Sequence, residues 1–168
     1  MNVRSVEQRD FETIVEIYNH YVQTTVVTFE EESISVLDIE NRIKTITTQH
    51  PWLVLENDGQ LVGYAYGSPF RARPAYRFTV ETTIYLDPDA GGKGFGTHLY
   101  GELLRQLEIG DFRTALGVIA LPNPSSVRLH EKLGFEKVAH LQGVGRKFDR
   151  WIDTGYWQMQ LDSFDASD

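Results

Sequence analysis

There is no cysteine in this chain of 168 residues, so neither a disulfide framework nor a thiolate-ligated metal is open to it. That absence fits a reducing compartment, and the cytoplasm is the expected location. Long apolar runs are missing too. Stretches such as Trp52-Leu53-Val54-Leu55 are far too short to cross a bilayer, and Met1-Asn2-Val3-Arg4 lacks the apolar segment of a secretory signal. No membrane partner is expected. Positive charge is scarce: 16 basic residues face 24 acidic ones, a net charge of −8. Such a surface repels phosphate backbones, so nucleic acid is not an expected partner either. His20, His50, His98 and His140 show no metal-ligand spacing, and no metal is expected. An anionic small ligand remains possible, but only where a local cluster of donors works against the overall field.

What is present is the balance of a soluble globular protein, with 41% hydrophobic and 24% charged residues. The length suits one domain, expected over residues 1–162 and followed by an acidic, frayed tail at 163–168. Asn2 to Ser5 has strand character. A helix is expected from Asp10 as N-cap, with Ile14, Ile17, Tyr18 and Tyr21 on one face. Thr24 to Ser33 is a loop. Ser35 and Asp38 form a capping box for a second helix with Val36, Ile39, Ile43 and Ile46 as its stripe. A hairpin follows, Trp52–Glu56 and Leu61–Tyr66 around Asn57-Asp58-Gly59. Arg77 to Leu86 alternates as a strand, with Phe78, Val80, Thr82, Ile84 and Leu86 on one face and Thr79, Glu81, Thr83 and Tyr85 on the other. After a glycine-rich loop, a helix carries Leu99, Leu103 and Leu107. Ala115–Ala120 is a strand, and Asn123-Pro124 caps a short helix that ends at Gly134. Val138–Val144 and Gly155–Leu161 complete a β-α-α-β-β-β-α-β-α-β-β order, an α/β domain on a mixed sheet.

The loop Gly91-Gly92-Lys93-Gly94-Phe95-Gly96-Thr97 stands between a strand and a helix. Glycines let the backbone turn and bring N–H groups close to a ligand, and the helix N-terminus adds free N–H groups and its positive dipole end. That combination suits a pyrophosphate. Taken alone, the same residues also suit a plain flexible turn. The spacing matches neither the Walker loop nor G-x-G-x-x-G, which disfavours a dinucleotide-binding oxidoreductase.

Asp-Pro followed by this loop resembles the acetyl-CoA pyrophosphate loop of GNAT acetyltransferases, with Gly91 where that family usually has Gln or Arg. Further on, Asn123-Pro124-Ser125-Ser126-Val127-Arg128-Leu129-His130-Glu131-Lys132-Leu133-Gly134-Phe135 resembles the second GNAT motif. The resemblance implies a single-domain GNAT fold, with a mixed, mostly antiparallel, splayed central sheet flanked by helices. It implies acetyl-CoA as co-substrate, held by Ile84, Tyr85 and Leu86 at the splayed strand, by Gly92, Lys93, Gly94, Phe95, Gly96 and Thr97 in the loop, and by Asn123 and Ser126. Other stretches are similar to phosphinothricin and methionine sulfoximine N-acetyltransferases. They are Ile17-Tyr18-Asn19-His20-Tyr21, Gly63-Tyr64-Ala65-Tyr66, Pro69 through Glu81, and Arg150-Trp151-Ile152-Asp153-Thr154-Gly155-Tyr156-Trp157-Gln158. That branch implies a small amino-acid-like acceptor and a homodimer.

For the acceptor, Arg71 and Arg73 share one proline-flanked loop, and a guanidinium fork binds carboxylate or phosphinate through paired hydrogen bonds. On spacing alone the two are solvated arginines; the resemblance assigns them to binding, with Phe29 and Tyr76 as walls. Glu81 is a carboxylate in mid-strand, where propensity disfavours one, and is the candidate base or ammonium anchor. His130 occupies the place of the family's thiolate-protonating tyrosine and is the second catalytic candidate, with a packed helix residue as the alternative. Two rival functions stand beside this one. One is an acetyltransferase with another acceptor, such as a polyamine or a protein N-terminus; the acidic surface is compatible with polyamines, but the paired arginines argue against a polycationic acceptor. A non-catalytic acyl-CoA-binding sensor would share the loop but not the turnover.

Overall fold

A computed structural model describes residues 1–161; the tail expected at 163–168 lies outside them. Seven strands and four helices follow the expected order. The strands are β1 (Asn2–Ser5), β2 (Trp52–Asn57), β3 (Gln60–Pro69), β4 (Thr79–Leu86), β5 (Thr114–Leu121), β6 (Glu136–Lys147) and β7 (Arg150–Gln160). The helices are α1 (Phe11–Thr24), α2 (Val36–Ile46), α3 (Phe95–Ile109) and α4 (Pro124–Lys132). The sheet runs β1-β2-β3-β4-β5-β7-β6, and every neighbouring pair is antiparallel except β4 with β5.

The run Trp52-Leu53-Val54-Leu55 is explained by its strand being covered on both faces. Leu53 and Leu55 join Leu99, Leu103 and Leu107 of α3 in one core, while Trp52 and Val54 join Ile14, Ile17, Ile39 and Ile43 in the other. Fully burying each such aliphatic side chain stabilises the fold by about 1.5–3 kcal/mol. Trp52 also stacks on Tyr66 with ring centroids 4.0 Å apart.

Several boundaries depart from the sequence reading for definite reasons. Asp10 precedes α1, yet its carboxylate turns back onto both terminal nitrogens of Arg4 (2.7 Å each) and the Glu7 N–H, and does not cap the helix. Burial opposes charge on Asp10, but these bonds outweigh it and hold the carboxyl below its ordinary range. Arg77 and Phe78 do not belong to β4: Arg77 ends a 3₁₀ turn over Pro74–Tyr76, and Phe78 is exposed. In α2 the Ser35–Asp38 box forms as expected, but only Ile39 and Ile43 of the stripe are buried. The last two strands are longer than expected and make one hairpin. Its turn, Phe148-Asp149, takes φ of +48° and +57° without a glycine to announce it.

Candidate active site

β4 and β5 separate after a short stretch of pairing. Their ladder runs from Thr79–Thr114 to Thr82–Gly117 and ends there. Beyond it β4 continues to Leu86 on the β3 side and β5 continues to Leu121 on the β7 side, which leaves a V between them. The expected splay is therefore present, and its crotch lies at Thr82 and Gly117.

The expected anion loop closes the open end of β4. The Asp87 carboxylate accepts the Asp89 N–H and starts a 3₁₀ turn over Pro88–Ala90. Gly92 and Gly94 then adopt φ of +77° and +81°, a region costly for any side-chain-bearing residue. Gly94 is the N-cap of α3 and no side chain caps that helix, so its first N–H groups stay available to an anion. Gly96 contributes differently. It is buried in α3, where a Cβ would press on Leu129 and Leu86 at 3.3 and 3.4 Å. Lys93 and Thr97 flank the opening, and Lys132 donates to the Thr97 hydroxyl at 3.4 Å. An open groove of about 570 Å³ runs on along α3 from Gly94 and Thr97 past His98. Asn123 caps α4 by accepting the Ser126 N–H at 3.1 Å, as expected.

The two faces of β4 differ in content. Thr82, Ile84 and Leu86 look toward α3, and Thr82 anchors a buried polar chain there. Its hydroxyl lies 2.6 Å from the Tyr100 hydroxyl and 3.0 Å from the Leu116 carbonyl, and Tyr100 reaches His130 Nε2 at 3.0 Å. His130 Nδ1 lies 2.8 Å from the Ser126 carbonyl. A carbonyl can only accept, so Nδ1 carries the proton and Nε2 offers a lone pair to Tyr100. At 3% exposure, burial pushes the His130 pKa down against the pull of that carbonyl, which keeps the ring neutral. The ring lies so close to Gly117 that a Cβ there would collide with it.

The other face holds Glu81, Thr83 and Tyr85, opposite Ser68, Tyr66 and Tyr64 of β3. Glu81 is half-buried, burial raises its pKa, and among the described residues no side chain bonds its carboxylate. Arg77, four residues earlier, does not pair with it: Arg77 donates to the Pro74 carbonyl and lies over the Phe78 ring. Tyr85 packs edge-on to Tyr18. Tyr21 donates to the Leu86 carbonyl at 2.8 Å and so ties α1 to the far end of β4.

The remaining acceptor candidates are less organised. Arg71 lies over the rings of Phe70 and Tyr76, and Arg73 precedes the 3₁₀ turn; both are exposed. Among the described residues they form no ion pair, and no hydrogen bond joins them to Glu81 or Phe29. Phe29 lies apart, in the loop between α1 and α2, with its ring against Gly145 of β6. Sequence reasoning missed Tyr21, Tyr100 and Lys147, whose roles depend on partners distant in the chain. The described residues contain no group of three or more potential metal ligands, and no helix among them is long and apolar enough to cross a membrane.

The family model described as Acetyltransferase (GNAT) domain matches residues 3–156. The chain belongs to the GNAT acetyltransferases. Among known relatives, it is 36% identical to the phosphinothricin N-acetyltransferase of Streptomyces viridochromogenes, over 96% of this chain and 88% of that protein. It is 34% identical to the L-methionine sulfoximine/L-methionine sulfone acetyltransferase of Salmonella typhimurium, over 100% of this chain and 99% of the other. The crystal structure of a GNAT superfamily phosphinothricin acetyltransferase from Sinorhizobium meliloti in complex with AcCoA superposes with a TM-score of 0.94 at 40% identity, covering 99% of this chain and 91% of that one. This GNAT enzyme therefore uses acetyl-CoA. The uncapped α3, the two left-handed glycines and the open V fit it: a pyrophosphate at the helix N-terminus and an extended arm between β4 and β5.

Proposed function

We propose that this GNAT enzyme transfers acetyl from acetyl-CoA to the α-amine of a small amino acid with an acidic or strongly polar head, such as phosphinothricin, methionine sulfoximine or methionine sulfone. The observation that carries this reading is the half-buried Glu81 carboxylate, which no side chain among the described residues bonds, one residue from the crotch of the splay and on the face opposite the α3 core. A carboxylate left without a partner in a partly desolvated site is suited to meet an ammonium group. The names of the relatives support the acceptor class.

In this reading the backbone of Ile84, Tyr85 and Leu86 lines the pantetheine path, and Asn123 and Ser126 face it across the V. Gly92, Lys93, Gly94, Phe95, Gly96 and Thr97 hold the pyrophosphate. Glu81 takes one proton from the acceptor ammonium, directly or through a water. The freed amine forms the N–C bond at the thioester carbonyl; as the C–S bond breaks, the new amide nitrogen gives up its second proton and the leaving thiolate takes one up, so that the amide, the free thiol and protonated Glu81 result. Phe29 and Tyr76 wall the acceptor, and Arg71 and Arg73 pair with its acid groups. His130 stands second as a proton donor: the acid role requires an imidazolium, which burial opposes, so we read it as support for the crotch. A homodimer is proposed through the outer strand β6 and its hairpin partner, where Val138, Leu141, Val144, Phe148 and Trp151 are exposed. The absence of cysteine supports a cytoplasmic setting.

The test is thiol release from acetyl-CoA on mixing with phosphinothricin, methionine sulfoximine, methionine sulfone and the common amino acids. Turnover with an acid-headed member bears the proposal out; binding of acetyl-CoA with no turnover on any amine would indicate a sensor. Arg71→Lys and Arg73→Lys keep the charge and lose the fork, so at least one should raise the acceptor KM by about tenfold with acetyl-CoA binding unchanged. Unchanged kinetics in both would return these arginines to solvent.

A further inference from the structure

Lys147 is the last residue of β6 and has 1% of its surface exposed, an unusual place for an ammonium group. Among the described residues it has no carboxylate within ion-pairing distance. Its one hydrogen bond is from Nζ to the carbonyl of Thr28, at 2.9 Å, and its charge also lies 5.1 Å from the Phe148 ring centroid. Two residues earlier, Gly145 packs against the Phe29 ring so closely that any side chain would collide with it. Thr28 is itself fixed: its hydroxyl lies 2.8 Å from that of Tyr18, the tyrosine packed on Tyr85 of β4.

These contacts join parts of the fold that the splay separates. The Thr25–Ser33 loop belongs to the half built from α1, α2 and β1 to β4. Gly145 and Lys147 belong to the half built from β5 to β7. Once the β4–β5 ladder ends at Thr82–Gly117, a buried cation on a backbone carbonyl and an aromatic ring on a glycine span the gap on the Tyr85 face. A buried charge with no carboxylate in contact, and only Glu31 and Glu30 of the same loop acting on it at longer range, is costly and is retained where its bond serves the fold or the site.

We infer that Lys147 is a positioning residue for acceptor specificity, latching the Thr25–Ser33 loop, and with it Phe29, across the open side of the splay. The inference rests on the proposed reading of Phe29 as an acceptor wall. The lysine touches neither reacting group; it fixes the loop that carries the proposed acceptor wall. Because small displacements of a substrate-positioning element cost much more in rate than in stability, its loss should appear in acceptor kinetics first.

The experiment compares wild type with Lys147→Met, which keeps the length and apolar stem and removes the donor, and Lys147→Gln, which keeps an N–H donor without charge. In Lys147→Met the acceptor KM should rise by about tenfold or more with acetyl-CoA KM unchanged, and Lys147→Gln should recover part of the loss. Hydrogen exchange of the peptide covering Thr25–Ser33 should quicken by about tenfold in the Met variant, with no acceptor present. Should Lys147→Met not fold, Gly145→Ala moves the Phe29 ring alone and is expected to give the same split between the two KM values. Unchanged loop exchange in Lys147→Met, or equal effects on both KM values, overturns the latch. If instead the wild type acetylates no amino acid while the loop still loosens, the acceptor assignment fails and the latch stands.

Discussion

The two faces of β4 are built on opposite plans. Toward α3, Val80, Ile84 and Leu86 sit in an apolar core, and the polar groups there, Thr82, Tyr100 and His130, all find partners within the fold. Toward α1 and α2, no side chain among the described residues bonds the Glu81 carboxylate, the neighbouring loop holds Arg71 and Arg73 exposed, and Lys147 at the end of β6 is buried with its ammonium on the Thr28 carbonyl. The first face supports a co-substrate gripped mainly by backbone, and needs only a fixed V and an uncapped helix. The second leaves charges unmet, as a site does when the missing partner is the acceptor. In the proposed reading, specificity resides on the second face.

The largest effect is expected at Glu81. Replacing it with glutamine keeps the shape and removes the base, and kcat should fall by about 10²–10⁴-fold, with the deficit shrinking as pH rises and the amine deprotonates unaided. Stability should move the other way. Burial raises the folded-state pKa of Glu81, so its contribution is most favourable below the ordinary carboxylate range and is lost as pH climbs through the raised value. At neutral pH and above, Glu81→Gln should melt no lower than wild type. A fully active variant, or a deficit equal at every pH, leaves Glu81 no base role.

A smaller effect is expected on the co-substrate side. Gly94 has φ +81° at the entrance to α3, and proline cannot adopt it. Gly94→Pro should raise the acetyl-CoA KM by about tenfold or more while the acceptor KM holds, since the change redirects the first N–H groups of the helix. A folded variant with normal acetyl-CoA binding would remove the loop from the site.

How much of this was legible in the sequence follows from how local each feature is. The glycine loop, the Asn123 cap and the Ser35–Asp38 box depend on residues adjacent in the chain, and the structure places all three as expected. The end of the β4–β5 ladder does not, because nothing within Thr79–Leu86 records where a distant strand turns away. Asp10 has the chemistry of a cap, and Arg4 wins its carboxylate through a contact across the connection that follows β1. Lys147 was hidden for a similar reason: with the β6–β7 turn formed by non-glycine residues, the strand's final inward position could not be recognised.

The smallest expected effect concerns the closed polar chain at the crotch, where proton counting makes the outcome specific. His130 gives its Nδ1 proton to the Ser126 carbonyl and offers the Nε2 lone pair to Tyr100, a group whose own ionisation burial pushes out of the accessible range. Tyr100→Phe keeps the ring that stacks on Phe135 and deletes the hydroxyl. It leaves a buried Nε2 acceptor unmet and removes one partner of the Thr82 hydroxyl, which still has the Leu116 carbonyl. Leaving one buried acceptor unsatisfied costs about 1–3 kcal/mol, to be read from urea unfolding. If the chain serves only to hold β4 and β5 at their parting, the acetyl-CoA KM should shift by a few-fold at most and the pH dependence of kcat should keep its shape. A changed pH profile in Tyr100→Phe, with stability intact, would instead make the Tyr100–His130 pair part of the proton path to the thiolate. The two faces of β4 would then share the chemistry.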